Sequence, residues 1–157
     1  MKFSLIVKIS LFCSSLLMMV GLPLSTHAHE DKMDHRLEIS GLWARPIIIE
    51  GRPGAAYLTI TNPTEKADRL VSASSSQAGR VEIHTHLMED GVMKMREVEG
   101  IDIEAGATVN FQPGGYHLMI FNHEGVLKAG DMLPVTLTFE HAGDVALKAP
   151  VSMKAPK

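Results

Sequence analysis

Cysteine is nearly missing from this chain. Cys13 is the only one among 157 residues, and it lies in an apolar amino-terminal run without the small-residue context of a lipoprotein cleavage site, so it reads as a filler of that run. Once that run is removed no thiol remains, which excludes a disulfide, thiol–disulfide chemistry and a blue-copper centre, whose metal needs a Cys thiolate. Positive charge is also in short supply. The chain carries 15 Lys and Arg against 18 Asp and Glu, a balance that disfavours nucleic acid and anionic membrane surfaces as partners. No window shows a sustained helical period, and there is no internal repeat or low-complexity tract. The one extended apolar run, Ile9 to Leu24, is short for a membrane span of about 20 residues.

That run belongs to residues 1–28, which read as a cleavable signal peptide. Lys2 and Lys8 supply the positive start, and Thr26-His27-Ala28 offers an acceptable cleavage site. The expectation is a periplasmic, monomeric protein with no membrane insertion after cleavage. Residues 29–36 read as a mobile polar tail in which His29, Met33 and His35 are candidate ligands for an additional metal ion. Residues 37–153 form the expected domain, and 154–157 a closing tail. Short runs such as A-A-Y-L-T-I-T-N, R-V-E-I-H-T-H and L-P-V-T-L-T-F-E, punctuated by Gly, Pro, Asn and Asp, predict an all-β sandwich or barrel with little helix. With no disulfide available, such a domain is held by burial alone.

What the chain does have is histidine and methionine, 8 and 10 in all. His84, His86, Met88, Met93, Met95, His117 and Met119 all fall between Val81 and Met119. On an extended strand, residues two apart share a face, so His84, His86 and Met88 line one side while Val81, Ile83 and Leu87 take the other. Asp90-Gly91 is a strong two-residue hairpin signal. Counting outward from it pairs Met88 with Met93 and His86 with Met95, which places all five on one side of one hairpin. The same count puts Lys94 and Arg96 on the face of Val81 and Ile83, a conflict that predicts a bulge or an edge position. In Y-H-L-M-I-F, His117, Met119 and Phe121 oppose Tyr116, Leu118 and Ile120, so His-x-Met makes a two-toothed clip.

Thioether sulfur is soft, uncharged and has no proton to lose, which suits Cu(I), whereas imidazole accepts several metals. Zinc sites favour Cys, His and carboxylate over Met. The mixture therefore argues for copper, chiefly Cu(I), with the additional imidazoles leaving Cu(II) open. Three imidazoles, His84, His86 and His117, also permit an alternative, a zinc or copper enzyme with an open coordination position. Glu82, Glu89 and Asp90 read as surface charges rather than as a general base for it. Trp43 reads as a core or rim aromatic, His123 and His141 as surface residues, and Met132 and Met153 as packing residues.

The chain also resembles a known family, the periplasmic copper chaperones called PCu(A)C. Their signature, a His, ten residues, a Met, twenty-one residues and then His-x-Met, is matched in type and spacing by His84, Met95, His117 and Met119. The likeness extends through W-A-R-P, A-A-Y-L-T-I-T-N, A-D-R-L, G-V-M-K-M-R and P-G-G-Y-H-L-M, covering roughly residues 38–140. His86 stands where many members carry a Met. The resemblance implies a cupredoxin-like Greek-key β-domain that is not an enzyme and that carries copper to cytochrome c oxidase. There the recipient would be the dinuclear centre of subunit II, served together with a thioredoxin-like copper protein. Storage or buffering of copper in the periplasm is the alternative.

Overall fold

The computed structural model describes residues 36–156, so the expected signal peptide and the candidates His29, Met33 and His35 lie outside the described residues. Ten strands follow one another: β1 (Glu38–Ala44), β2 (Gly54–Thr61), β3 (Asp68–Ser74), β4 (Ala78–Glu89), β5 (Val92–Glu97), β6 (Ile101–Ile103), β7 (Thr108–Phe111), β8 (His117–His123), β9 (Met132–Phe139) and β10 (Gly143–Pro150). No helix occurs among the described residues.

Alternation decides what faces inward. In β9, Leu133, Val135, Leu137 and Phe139 are buried while the residues between them are partly exposed. The same parity sends Leu58 and Ile60 of β2, Ile83 of β4, and Leu118 and Ile120 of β8 into a single core with Leu70, Ile103 and Phe111. Each of these side chains contributes roughly 1.5–3 kcal/mol by leaving water.

The strands form one antiparallel sheet in the order β1-β2-β8-β4-β3-β9-β10, with β7 on β2, β6 on β3 and β5 on β4. It curls into a nearly closed barrel. Ala44, at the end of β1, bridges Val151 beyond β10, and the Ser152 N–H donates to the Ala44 carbonyl at 2.9 Å. The insertion of β8 between β2 and β4 is the step that brings His117 beside His84. β1 changes register between Ser40 and Trp43, with Gly41 at φ 59, a bulge. Beyond it Trp43 is buried against Tyr57, ring centroids 5.0 Å apart, in keeping with a packing role.

Two buried polar side chains fix the loops. Asn62 Nδ2 donates to the carbonyls of Lys66 and Ile103 at 2.7 and 3.0 Å, while its Oδ1 accepts from Thr64 N and Oγ1. Asp68 accepts from the backbone N–H groups of His141 and Ala142 at 3.0 and 2.9 Å, which ties down the turn between β9 and β10.

Several expectations need correction. β6 was not anticipated, because three residues are too few to show a period. Met132 and Met153 are exposed rather than packed, since one opens β9 and the other lies beyond β10. His123 is not a simple surface residue. Its Nδ1 lies 3.4 Å from the Gly125 carbonyl, and its Nε2 is buried without a partner. His141 is exposed, as expected.

Candidate metal centre

β4 is 12 residues long and has two halves. From Ala78 to His84 it pairs with β8, and from His84 to Glu89 it pairs with β5. The second half, with β5, projects past β8 as a hairpin. Its turn is of the expected kind, with Asp90 at φ 52 and Gly91 at φ 78. Met88 opposes Met93, His86 opposes Met95 and His84 opposes Glu97, with no shift of register.

No bulge is needed to accommodate Lys94 and Arg96. The projecting half has left the core, so the face that buries Ile83 further down carries an exposed Leu87 here. On that face Glu89 accepts from Arg96 at 3.0 and 2.7 Å and from Lys94 at 3.1 Å. The Arg96 guanidinium, with help from Lys94, holds the Glu89 carboxyl below its usual range, and Glu89 in turn raises Arg96. Of the two expected remedies, a bulge or an edge position, the edge position is the one found, with the hairpin clamped by charge.

β8 supplies the other wall. His117 opposes His84, Met119 opposes Glu82 and Phe121 opposes Arg80, all on the face away from buried Leu118 and Ile120. The His117 ring centroid lies 5.9 Å from that of His84 and 5.2 Å from that of His86, with which it stacks. Three imidazoles therefore converge, flanked by Met119 two residues along β8 and by Met95 across β5.

Hydrogen bonds fix which ring nitrogens remain available. Glu82 Oε2 lies 2.7 Å from His84 Nε2, and its Oε1 lies 2.5 Å from Arg80 Nε. A carboxylate accepts, so His84 carries its proton on Nε2 and keeps its lone pair on Nδ1. That Nδ1 is buried and has no partner. The Gly115 carbonyl accepts from His117 Nδ1 at 2.9 Å, leaving the His117 lone pair on Nε2. The same carbonyl stands 3.5 Å from His86 Nδ1. Backing one nitrogen with a carboxylate or carbonyl while the other stays free is the arrangement that orients metal-binding imidazoles. Burial pushes the His117 imidazole below its ordinary value of 6.5; the Gly115 bond opposes this, and His86 and His84 add to it. Burial thus favours the neutral ring, the form in which an imidazole can hold a metal.

Glu82 was expected at the surface, yet its side chain is largely buried. It sits beneath Arg80, whose guanidinium lies 4.7 Å over the Phe121 ring. The signal was present in the sequence as E-x-H, since residues two apart share a face. Glu97 was overlooked as well. Ligand atoms of Glu82, His84 and Glu97 lie within 4.8 Å of one another.

Exposure grows from β8 out along the hairpin, from 4% at His117 through 42% at Met95 to 59% at Met93 and 65% at Met88. The structure therefore pairs His84 with His117 at the base, sets His86 and Met95 one level further out on the same face as Met119, and leaves Met88 and Met93 at the tip. The donors are neutral nitrogen and thioether sulfur, with two carboxylates at one side.

Comparison with known proteins places this geometry in context. A family described as "Putative lipoprotein LpqE-like" matches residues 37–151. "Uncharacterized protein RP573" of Rickettsia prowazekii (strain Madrid E) is 36% identical over 102 residues, which cover 62% of this chain and 56% of that protein. The chain thus spans little more than half the length of the curated relatives it matches, 56% and 59%. Among solved structures, "Copper-bound PCuAC domain from PmoF2" superposes with a TM-score of 0.62 at 24% identity, covering 75% of this chain and 93% of that one. "Solution structure of CuI-DR1885 from Deinococcus Radiodurans" does so at 0.59 and 25% identity, covering 80% and 85%. The fold is the cupredoxin-like all-β fold of these domains, as the sequence led one to expect.

Proposed function

This chain belongs to the LpqE-like family, and from that premise we propose that it is a periplasmic copper chaperone carrying Cu(I) on His84, Met95, His117 and Met119. His86 is the nearest additional ligand. The observation that carries the reading is the pairing of His84 with His117 across β4 and β8, where the buried, partnerless Nδ1 of His84 is a lone pair in want of a cation. Thioethers of Met95 and Met119 on the same face give such a cation the soft partners that select Cu(I). The Cu(I) bound by the solved neighbour from Deinococcus radiodurans supports the same choice.

Copper here is cargo. A site of neutral ligands takes up the ion without releasing protons and gives it up by stepwise exchange with a recipient's ligands. The Gly115 carbonyl and the Glu82 carboxylate hold the rings in place while this happens. Export by residues 1–28 would deliver a soluble carrier, because Cys13 lies within the apolar run rather than after a small-residue cleavage site. By resemblance, the recipient is the dinuclear copper centre of cytochrome c oxidase subunit II, with a thioredoxin-like copper protein as co-worker. Storage of copper is the alternative, and it separates from delivery by one test: deletion lowers oxidase activity under copper limitation only if delivery is the role.

An enzyme built on the three imidazoles gains something from Glu82, which stands beside His84. That carboxylate is already held by Arg80 and His84, however, which leaves it a poor general base. Anaerobic Cu(I) titration against a chromogenic chelator decides the matter. One tight equivalent that weakens about tenfold or more in Met95→Ala and in Met119→Ala is the expected result for thioether ligands of Cu(I). Parent-like binding in both variants would sink the thioether site and return the three-imidazole centre to the front.

A further inference from the structure

We propose that Met88 and Met93 form an outer station for the same soft ion, at which it lands before reaching the histidines and from which it departs. The inference rests on the Cu(I)-carrier reading of the inner site.

The hairpin itself builds the station. Its two-residue turn closes on Glu89 and Val92, so alternation makes Met88–Met93, His86–Met95 and His84–Glu97 the pairs without mutual hydrogen bonds, whose side chains approach most closely. Opposed Cβ atoms in such pairs are about 4.5–5.5 Å apart. Two thioethers held at that separation on a stiff turn make a sulfur clip. Packing does not account for them. Both are largely exposed, and the hairpin is clamped from its other face by Glu89 with Arg96 and Lys94.

The three levels of the ligand face form a graded series. The tip offers two sulfurs, Met88 and Met93; the middle offers a nitrogen and a sulfur, His86 and Met95; the base offers the two nitrogens of His84 and His117. Successive levels are two residues apart, or about 6–7 Å. An ion moves inward by ligand exchange, a Cu–S or Cu–N bond to Met95 or His86 forming as a Cu–S bond to Met88 or Met93 breaks. Only lone pairs are exchanged, the metal stays Cu(I) throughout, and no proton moves. The exposed two-sulfur level binds more weakly than the base, so it is the level from which a recipient's ligands can draw the ion.

The test is methionine-methyl NMR of the protein with 13C-methyl methionine, titrated with Ag(I) as a redox-inert soft ion and then with Cu(I) under anaerobic conditions. Met132 and Met153, exposed and outside the cluster, are internal references. The first equivalent is expected to shift Met95 and Met119, and the second to shift Met88 and Met93 together. The double variant Met88→Leu/Met93→Leu is expected to lose that second step and to pass Cu(I) to an external chelator more slowly, with the first step unchanged. Should the methyl groups of Met88 and Met93 stay as still as those of Met153 through the second equivalent, or the double variant transfer at the parent's rate, the outer station is refuted while the carrier reading stands. Absence of any shift at Met95 and Met119 would instead overturn the carrier reading, and the outer station with it.

Discussion

At the scale of single residues, the pairing of Glu82 with His84 decides which ring nitrogen is left without a partner and so open to the proposed ion. Glu82→Leu frees the His84 ring to turn and to change tautomer, and loss of such backing typically costs about 10–100-fold in metal affinity. Glu82→Gln, which still accepts from the Nε2–H, is expected to lose less. Long-range 1H–15N NMR of the apo protein reads the tautomer directly, and an unprotonated Nε2 on His84 would contradict the assignment. His117 makes a second prediction, about pH. Its folded pKa lies below the 6.5 of a free imidazole, chiefly through burial. Between those two values the unfolded chain binds a proton that the folded chain refuses, so stability rises with pH across the interval and is complete above about 6.5. The melting temperature of the apo protein should therefore fall as pH drops below that value, and fall less in His117→Asn. The four-residue signature was legible because type and spacing alone define it. The role of Glu82 was not, because the residue that faces it across the sheet, Met119, arrives from β8.

At the scale of elements, the β4–β5 hairpin was legible down to its pairs. A two-residue Asp-Gly turn fixes the register, and the register fixes which side chains meet. Hidden from the sequence was where the core ends along β4, since that depends on how far β8 reaches, and β8 stops pairing at His84. The conflict over Lys94 and Arg96 came from assuming that the core continued. Gly91 has φ 78 with nothing near its missing Cβ, so Gly91→Ala strains the backbone alone, by about 1–2 kcal/mol. Because the hairpin projects, that strain should appear as local fraying. Hydrogen exchange should quicken for the amides between His86 and Arg96, with little change in the global melt. A cooperative loss of the whole fold would show the hairpin to be coupled to the barrel more tightly than its geometry implies.

At the scale of the molecule, the barrel and the site share β8. Leu118 lies between His117 and Met119 and points the opposite way, wholly buried among the core residues. Leu118→Ala is expected to cost about 2–5 kcal/mol, measured by denaturant unfolding of the apo protein. It should also weaken copper binding, because the cavity opens directly behind two of the proposed ligands. A variant that lost stability but kept its affinity would show that the strand is positioned from elsewhere. The all-β class was legible from short punctuated runs. The neighbour order was not, since nothing local says that β8 lies between β2 and β4.

The projecting half of β4 has one more consequence, in terms of how such a protein can be altered. His117 is locked into the barrel wall, and a change there tests folding and binding together. The residues from His86 to Met95 hang beyond the wall on a clamp of surface charges, so they behave as an exchangeable tool head on a fixed handle. Swapping one soft side chain for another there is expected to retune the proposed grip and release, while the chain's ability to fold is left almost untouched.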